Sequence, residues 1–145
     1  MAKRAQVGVE MFLVFSIALL VLFWFSNYLN AFSSSAQKIG ANEQQKLALK
    51  DLAKLANDVC VMRANLTVKA PCITVGSESM LYRLYGTLPA NVIRMNNTFT
   101  NHSSAEKVNC NVDVMVPDYV RCTSREMLCM YKSGDDVVIT RGACT

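Results

Sequence analysis

The first part of the chain is dominated by one apolar segment. Residues 11–25 contain no charged side chain, and the apolar character continues to residue 32 with few polar interruptions. These are Ser16, Ser26, Asn27 and Asn30. A helix needs about 20 apolar residues to cross a bilayer, and a helix that is apolar on every face must be covered by lipid or by other helices. The pattern therefore predicts a helix that is buried in a membrane or in a bundle.

A second helical pattern follows the polar stretch AFSSSAQKIGANEQQ. Its apolar residues recur at intervals of three, four and seven, which is the spacing of one helix face. They are Ala41, Ala48, Leu52, Leu55, Val59, Met62 and Leu66. Because no proline occurs before Pro71, both patterns fit one helix from about residue 9 to residue 64, roughly 80 Å long. The apolar face of its second half packs either on the chain's own domain or against neighbouring copies.

From residue 67 to residue 145 the pattern alternates with period two, which predicts strands. The clearest case is VNCNVDVMV, and CITV, SMLYRLY and NVIRM are shorter candidates. EMLCMYK and DVVITR flank Ser133-Gly134-Asp135-Asp136, which predicts a β-hairpin. The expected fold is α+β: a long N-terminal helix followed by a small, disulfide-bonded, antiparallel β-sandwich-like head of about five to seven strands.

Six cysteines follow the apolar segment, at Cys60, Cys72, Cys110, Cys122, Cys129 and Cys144. An even count in a short exported region predicts disulfides, and six cysteines allow about 15 pairings. A metal site is less favoured because the chain has no CxxC pair and His102 is its only histidine. Pairing of nearest neighbours in sequence predicts Cys60–Cys72, Cys110–Cys122 and Cys129–Cys144.

Three N-x-S/T sequons also follow the apolar segment, at Asn65, Asn96 and Asn101. They predict N-glycosylation of an exported region. Lys3 and Arg4 precede the segment, and basic residues stay on the cytoplasmic side of a membrane. The N-terminus is therefore expected inside, and residues from about 35 onward outside.

Composition and motifs argue against several function classes. The net charge is +4, but no basic stripe is interleaved with aromatic residues, so nucleic acid is not an expected partner. His102 lies in a polar stretch without a nucleophile, and a turn explains Asp135-Asp136 better than a calcium site does. No hydrolase, phosphate-loop or metalloprotease motif occurs. We therefore expect no enzyme activity, no cofactor and no metal.

The N-terminus admits three interpretations. An ordinary secretory signal would be cut near Ala31-Phe32-Ser33. An uncut segment would anchor an exposed binding module, such as a sugar-binding one. In both cases Glu10, at the edge of the apolar segment, has no role. In the third interpretation, cleavage falls between Ala5 and Gln6, so that the mature chain begins QVGVEMFLVF.

The third interpretation rests on a resemblance. Lys3-Arg4-Ala5, followed by Gln6 to Glu10 and a long apolar helix, resembles the class III signal of archaeal type IV pilins. The family commonly has Gln as the first mature residue and Glu as the fifth, and both match here. Many members have Ser as the third mature residue, where this chain has Gly8. The matching motif covers about the first 25 residues.

This resemblance implies a processing and assembly sequence. Prepilin peptidase would remove the leader, residues 1–5, on the cytoplasmic side. Residues 6–32 would span the membrane and later form the filament core, residues 33–66 would extend this helix, and residues 67–145 would form the extracellular head. The carboxylate of Glu10 would pair with the new amine of a neighbouring copy and set the axial register, unless the N-terminal Gln6 cyclises. The implied product is an adhesive cell-surface filament whose main partners are other copies of this chain.

Overall fold

The computed structural model describes residues 2–86, 88–122 and 126–144, with side chains from residue 8 onward within these ranges. One unbroken helix, α1 (Ala2–Met62), begins the chain's described part. It ends at Arg63, which adopts a left-handed φ of 55°, a conformation common just after helix ends. The single helix expected from about residue 9 to residue 64 is confirmed. The chain divides into two compact units, residues 1–36 and 37–145.

Unit 1 consists only of helix, and its apolar side chains are uncovered. Every apolar side chain from Val9 to Phe32 is exposed, and Phe12 and Trp24 are 73% and 75% exposed. Three serines donate their hydroxyls to helix carbonyls: Ser16 Oγ to Phe12 at 2.8 Å, and Ser34 Oγ and Ser35 Oγ to Ala31 at 2.9 and 3.0 Å. Within the described chain, this is the one helix long and apolar enough to cross a membrane.

From residue 37 onward, α1 presents one face to the core of unit 2. The buried side chains are Ala41, Gln45, Leu49, Leu52, Ala53, Ala56 and Val59. The predicted face is right in part. Met62 is 68% exposed and Leu66 lies in a strand, whereas Leu49 and Ala56, which were not predicted, are fully buried. The buried face was misassigned because this part of the helix is rich in Ala and Leu. Two adjacent stripes of apolar residues therefore have helical spacing, and only one of them faces the core.

Nine strands follow α1 in the described residues. They are β1 (Leu66–Lys69), β2 (Thr74–Val75), β3 (Glu78–Ser79), β4 (Tyr82–Tyr85), β5 (Val92–Asn97), β6 (Ser103–Lys107), β7 (Asn111–Met115), β8 (Met127–Ser133) and β9 (Asp136–Arg141). They form one four-stranded sheet in the order β1-β8-β9-β7, a β2-β3 pair and a three-stranded β4-β5-β6 sheet. The α+β fold expected from the sequence is confirmed, but the described residues form nine strands where the sequence pattern predicted five to seven.

The four-stranded sheet contains the expected hairpin. Strands β8 and β9 pair antiparallel, with Ser133 opposite Asp136, and Gly134 adopts the left-handed φ of 64° that this tight turn requires. The β7–β9 pair is parallel, which the antiparallel expectation did not include. A parallel neighbour needs a long connection, and here the segment after β7 and strand β8 supply it before the chain returns as β9.

The three-stranded sheet is fastened to the rest of the head along its loops. Strand β6, SSAEK, was not predicted because it lacks apolar alternation, and its pairing with β5 holds it in the sheet. Val114 N donates to the carbonyl of Gly86 at 2.9 Å. A Cβ atom at Gly86 would lie 2.8 Å from a methyl carbon of Val114, so only glycine permits this approach.

Candidate assembly helix and disulfide framework

The predicted processing and assembly residues lie in the first turns of α1. Ala5 and Gln6 are in the helix, and their side chains lie outside the described residues. Glu10 is exposed and forms no ion pair with any residue whose side chain is described. It directly precedes the uncharged run that begins at Met11. A carboxylate at this position is therefore available to a group from outside the chain.

The surface of unit 1 has the chemistry of a buried element. Large aliphatic and aromatic side chains surround the helix axis between Val9 and Phe32 and are all exposed within the single chain. Monomeric soluble proteins rarely expose a contiguous apolar surface of this size. Covering one such side chain contributes about 1.5–3 kcal/mol. Lipid or protein must therefore cover this segment.

The disulfide pairing differs from nearest-neighbour pairing. The bonds are Cys60–Cys110, Cys72–Cys122 and Cys129–Cys144, with Cα–Cα distances of 6.4, 4.7 and 5.0 Å. The predicted Cys129–Cys144 bond is confirmed. The predicted Cys60–Cys72 and Cys110–Cys122 bonds are wrong.

Contacts distant in sequence explain the correct partners. Asn109 N donates to Asn57 Oδ1 at 2.7 Å, which brings Cys110 beside the last turns of α1. The Tyr82 hydroxyl donates to the carbonyl of Pro71 at 2.8 Å, and Tyr82 also forms a bridge with Val120. Tyr82 therefore holds the segments that carry Cys72 and Cys122 together. Such contacts leave no signal in the spacing of the cysteines.

Each of the first two bonds joins residues 50 positions apart. In the chain-entropy account, closing a loop of this length stabilises the folded state by about 4 kcal/mol. Cys60–Cys110 ties the end of α1 to the chain just before β7, and Cys129–Cys144 ties the segment after β9 to β8. A β region of about 80 residues has a thin core, and disulfides are its usual reinforcement.

The three sequons lie in different environments. Asn65 is exposed beyond the end of α1, and Asn101 is exposed in the β5–β6 turn with a left-handed φ of 51°. Asn96 is half-buried on β5, and its Oδ1 is enclosed without a donor from any described residue. Asn65 and Asn101 are therefore the sequon asparagines whose side chains are accessible for glycan attachment.

The remaining candidate residues have structural roles. The carbonyl of His102 accepts hydrogen bonds from Asn97 N at 3.1 Å and from Gln45 Nε2 at 3.1 Å. Asp136 Oδ1 accepts a hydrogen bond from Asn111 Nδ2 at 3.1 Å. Among the described residues, no group of three His, Cys, Asp or Glu side chains is placed to hold a metal ion.

Among the described residues of the head, three polar side chains that the sequence analysis did not identify are buried: Gln45, Asn97 and Glu126. Gln45, in the apolar face of α1, donates to the carbonyl of Met95 at 2.7 Å. Glu126 is almost fully buried and lies 2.8 Å from the guanidinium of Arg141. Gln45 ends the polar stretch AFSSSAQKIGANEQQ, so the sequence pattern carried no signal of its burial. No family model, curated protein or solved structure matches this chain.

Proposed function

We propose that this chain is the structural subunit of a type IV pilus-like surface filament and that it assembles through its N-terminal helix. The observation that carries the proposal is the uncovered apolar surface between Val9 and Phe32. The same helix supplies, from residue 37 onward, a buried face of a disulfide-bonded head. The first part of the helix therefore needs lipid or other protein chains to cover it, whereas the second part is already packed against its own head.

Two environments cover such a helix in turn. In the membrane, lipid surrounds residues 8–32. In a filament, copies of the same helix surround it. Both states bury the same apolar side chains, so transfer from one to the other has little net cost in apolar exposure. Repeated head-to-tail contacts between identical subunits generate an open helical filament.

Processing between Ala5 and Gln6 supplies the polar part of the contact. Cleavage by a prepilin peptidase removes Lys3 and Arg4 and creates an amine at Gln6. Glu10 then stands four residues from the new terminus, at the edge of an uncharged helix. A carboxylate in an apolar bundle is tolerated when it is paired, and the amine of a neighbouring copy is a partner of opposite charge. Each such pair fixes one subunit relative to the next.

The head fits an outward position in this assembly. Its three disulfides suit an oxidising exterior, and the exposed sequons Asn65 and Asn101 suit glycosylation there. The resemblance to type IV pilins implies adhesion through the head surface as the use of the filament.

A single-pass anchored binding module is the second candidate. An open groove on the outer face of the β4-β5-β6 sheet favours it, because a binding module needs a site but no polymer. In that case lipid alone covers residues 8–32, the leader is retained and Glu10 has no partner.

Replacement of Glu10 by leucine tests the assembly proposal. A charge-assisted hydrogen bond is worth about 1.5–3 kcal/mol, so its loss should lower the assembly affinity at least about tenfold. We expect Glu10→Leu to leave the mature protein in the membrane and to reduce the filaments sheared from cells. Glu78→Leu, which removes an exposed carboxylate from the head, is the matched control and should assemble normally. Normal filaments from Glu10→Leu would contradict the proposed role of Glu10.

A further inference from the structure

The outer face of the three-stranded sheet carries an unassigned groove. It has a volume of about 560 Å³ and is open to solvent, within the size range of small-ligand sites. Its lining includes Tyr85, Val92, Arg94, Asn96 and Ser103.

Strand register explains why these side chains converge. Alternate residues of a strand point to opposite faces, and the inward residues Tyr82, Leu84, Ile93 and Met95 fill the core. The outward positions form three cross-strand rows, two of which supply polar groove residues. Tyr85 is opposite Arg94, and Asn96 is opposite Ser103.

The groove is basic. Arg94 is exposed within it, Arg83 is opposite Asn96 and Lys107 is opposite Val92 on the same face. No Asp or Glu is among the described residues that line the groove. Glu106 is opposite Ile93, on the inward side of the sheet. Charge complementarity therefore favours an anionic ligand.

The aromatic ring of Tyr85 lines the groove. The Arg83 guanidinium lies 5.6 Å from the centre of the Tyr85 ring and 5.7 Å from that of Tyr119, within cation–π distance. Arg83 Nη2 also donates to the carbonyl of Pro117 at 3.3 Å. These contacts fix the Tyr85 ring, which is 38% exposed, as a rigid apolar surface beside polar groups.

We propose that this groove binds an acidic carbohydrate, a sugar chain that carries carboxylates. The carboxylate pairs with the Arg94 guanidinium, whose fork geometry suits two parallel hydrogen bonds. The apolar face of a sugar ring packs on Tyr85. The sugar hydroxyls accept hydrogen bonds from Asn96 Nδ2 and exchange them with Ser103 Oγ. Asn96, although it belongs to a sequon, remains unmodified so that the groove stays open. Binding requires neither processing at Ala5–Gln6 nor filament assembly.

The test is calorimetric titration of the full chain in detergent micelles with tetragalacturonate. We expect binding, and we expect the methyl ester of the same oligosaccharide to bind at least about tenfold more weakly because it lacks the charge. Arg94→Ala should weaken binding at least about tenfold. Arg94→Lys should restore only part of it, since a lysine keeps the charge without the fork.

Lys69→Ala is the matched control because it removes one positive charge from an exposed position on β1, and it should bind tetragalacturonate like the unaltered chain. Tyr85→Ala should weaken binding of the sugar acid and leave any binding of inorganic phosphate unchanged. Four outcomes would overturn the proposal. They are absence of binding at millimolar ligand, equal weakening by Lys69→Ala, equal binding of the methyl ester, and a glycan on Asn96 in peptide mapping.

Discussion

At the scale of single residues, Gln45 links the helix to the three-stranded sheet. Its side chain is fully buried in the apolar face of α1. Its Nε2 donates to the carbonyls of Met95 and His102 and to Ser104 Oγ at 2.7, 3.1 and 3.3 Å. One amide therefore serves β5, the β5–β6 turn and β6 together.

Gln45→Ala should destabilise the head. The change removes the Gln45 donor to the carbonyl of Met95 and one of the two donors to the carbonyl of His102, and losing such buried hydrogen bonds costs about 1–3 kcal/mol. We expect the free energy of unfolding measured with urea to fall by this amount, with a lower midpoint and an unchanged slope. Lys50→Ala, at an exposed position on the same helix, is the control and should change the free energy of unfolding by less than about 0.5 kcal/mol. Equal stabilities for the two variants would show that Gln45 does not join the helix to the sheet.

Because the Tyr82 hydroxyl is buried, we expect the stability of the head to fall at alkaline pH. Burial, and to a lesser degree the Glu126 carboxylate, raises the pKa of Tyr82 far above its ordinary value. The unfolded chain releases the tyrosine proton near pH 10, whereas the folded chain keeps it. The stabilising contribution is therefore complete below about pH 10 and is lost as the pH rises above that value.

Unfolding at pH 9 and pH 11 measures this effect. Between pH 9 and pH 11, the free energy of unfolding of the unaltered chain should fall by about 1.4 kcal/mol more than that of Tyr82→Phe. Tyr82→Phe also lacks the hydrogen bond to Pro71, but this loss is the same at every pH. Tyr85→Phe, which alters an exposed tyrosine, should follow the unaltered chain. An identical pH dependence for Tyr82→Phe and the unaltered chain would contradict the burial of this hydroxyl.

At the scale of elements, local patterns predicted more than distant ones. The uninterrupted helix follows from 3.6-residue spacing and the absence of proline, and the β8–β9 hairpin follows from Gly134 between two alternating segments. Strand β6 and the parallel β7–β9 pair depend on partners far along the chain. The cysteine partners and the groove depend on the same long-range pairings, so spacing alone did not reveal them.

The disulfide connectivity gives an element-scale prediction. Proteolysis of the non-reduced protein should yield peptides joined through Cys60–Cys110 and Cys72–Cys122. Replacement of Cys60 and Cys110 by serine should cost about 4 kcal/mol, and replacement of Cys129 and Cys144 about 3 kcal/mol, because the first pair closes a longer loop. A peptide joined through Cys60–Cys72 would contradict the described fold at the end of α1.

At the scale of the whole molecule, the two units have opposite requirements. Residues 37–145 bury a core of their own, with Leu49, Ile93 and Ile139 fully enclosed. Residues 8–32 are not buried within the chain and need lipid or protein around them. Under the proposed function, lipid surrounds them first and neighbouring copies surround them later, while the head stays folded throughout.

The most direct test of this account is the N-terminus of the protein in filaments sheared from its cells, read by peptide mass mapping. Processing as proposed gives a chain that begins at Gln6 or its cyclised form, with residues 8–32 present in the filament. A chain that begins at Met1 or near Ser34, or that is missing from the sheared fraction, would contradict the filament proposal.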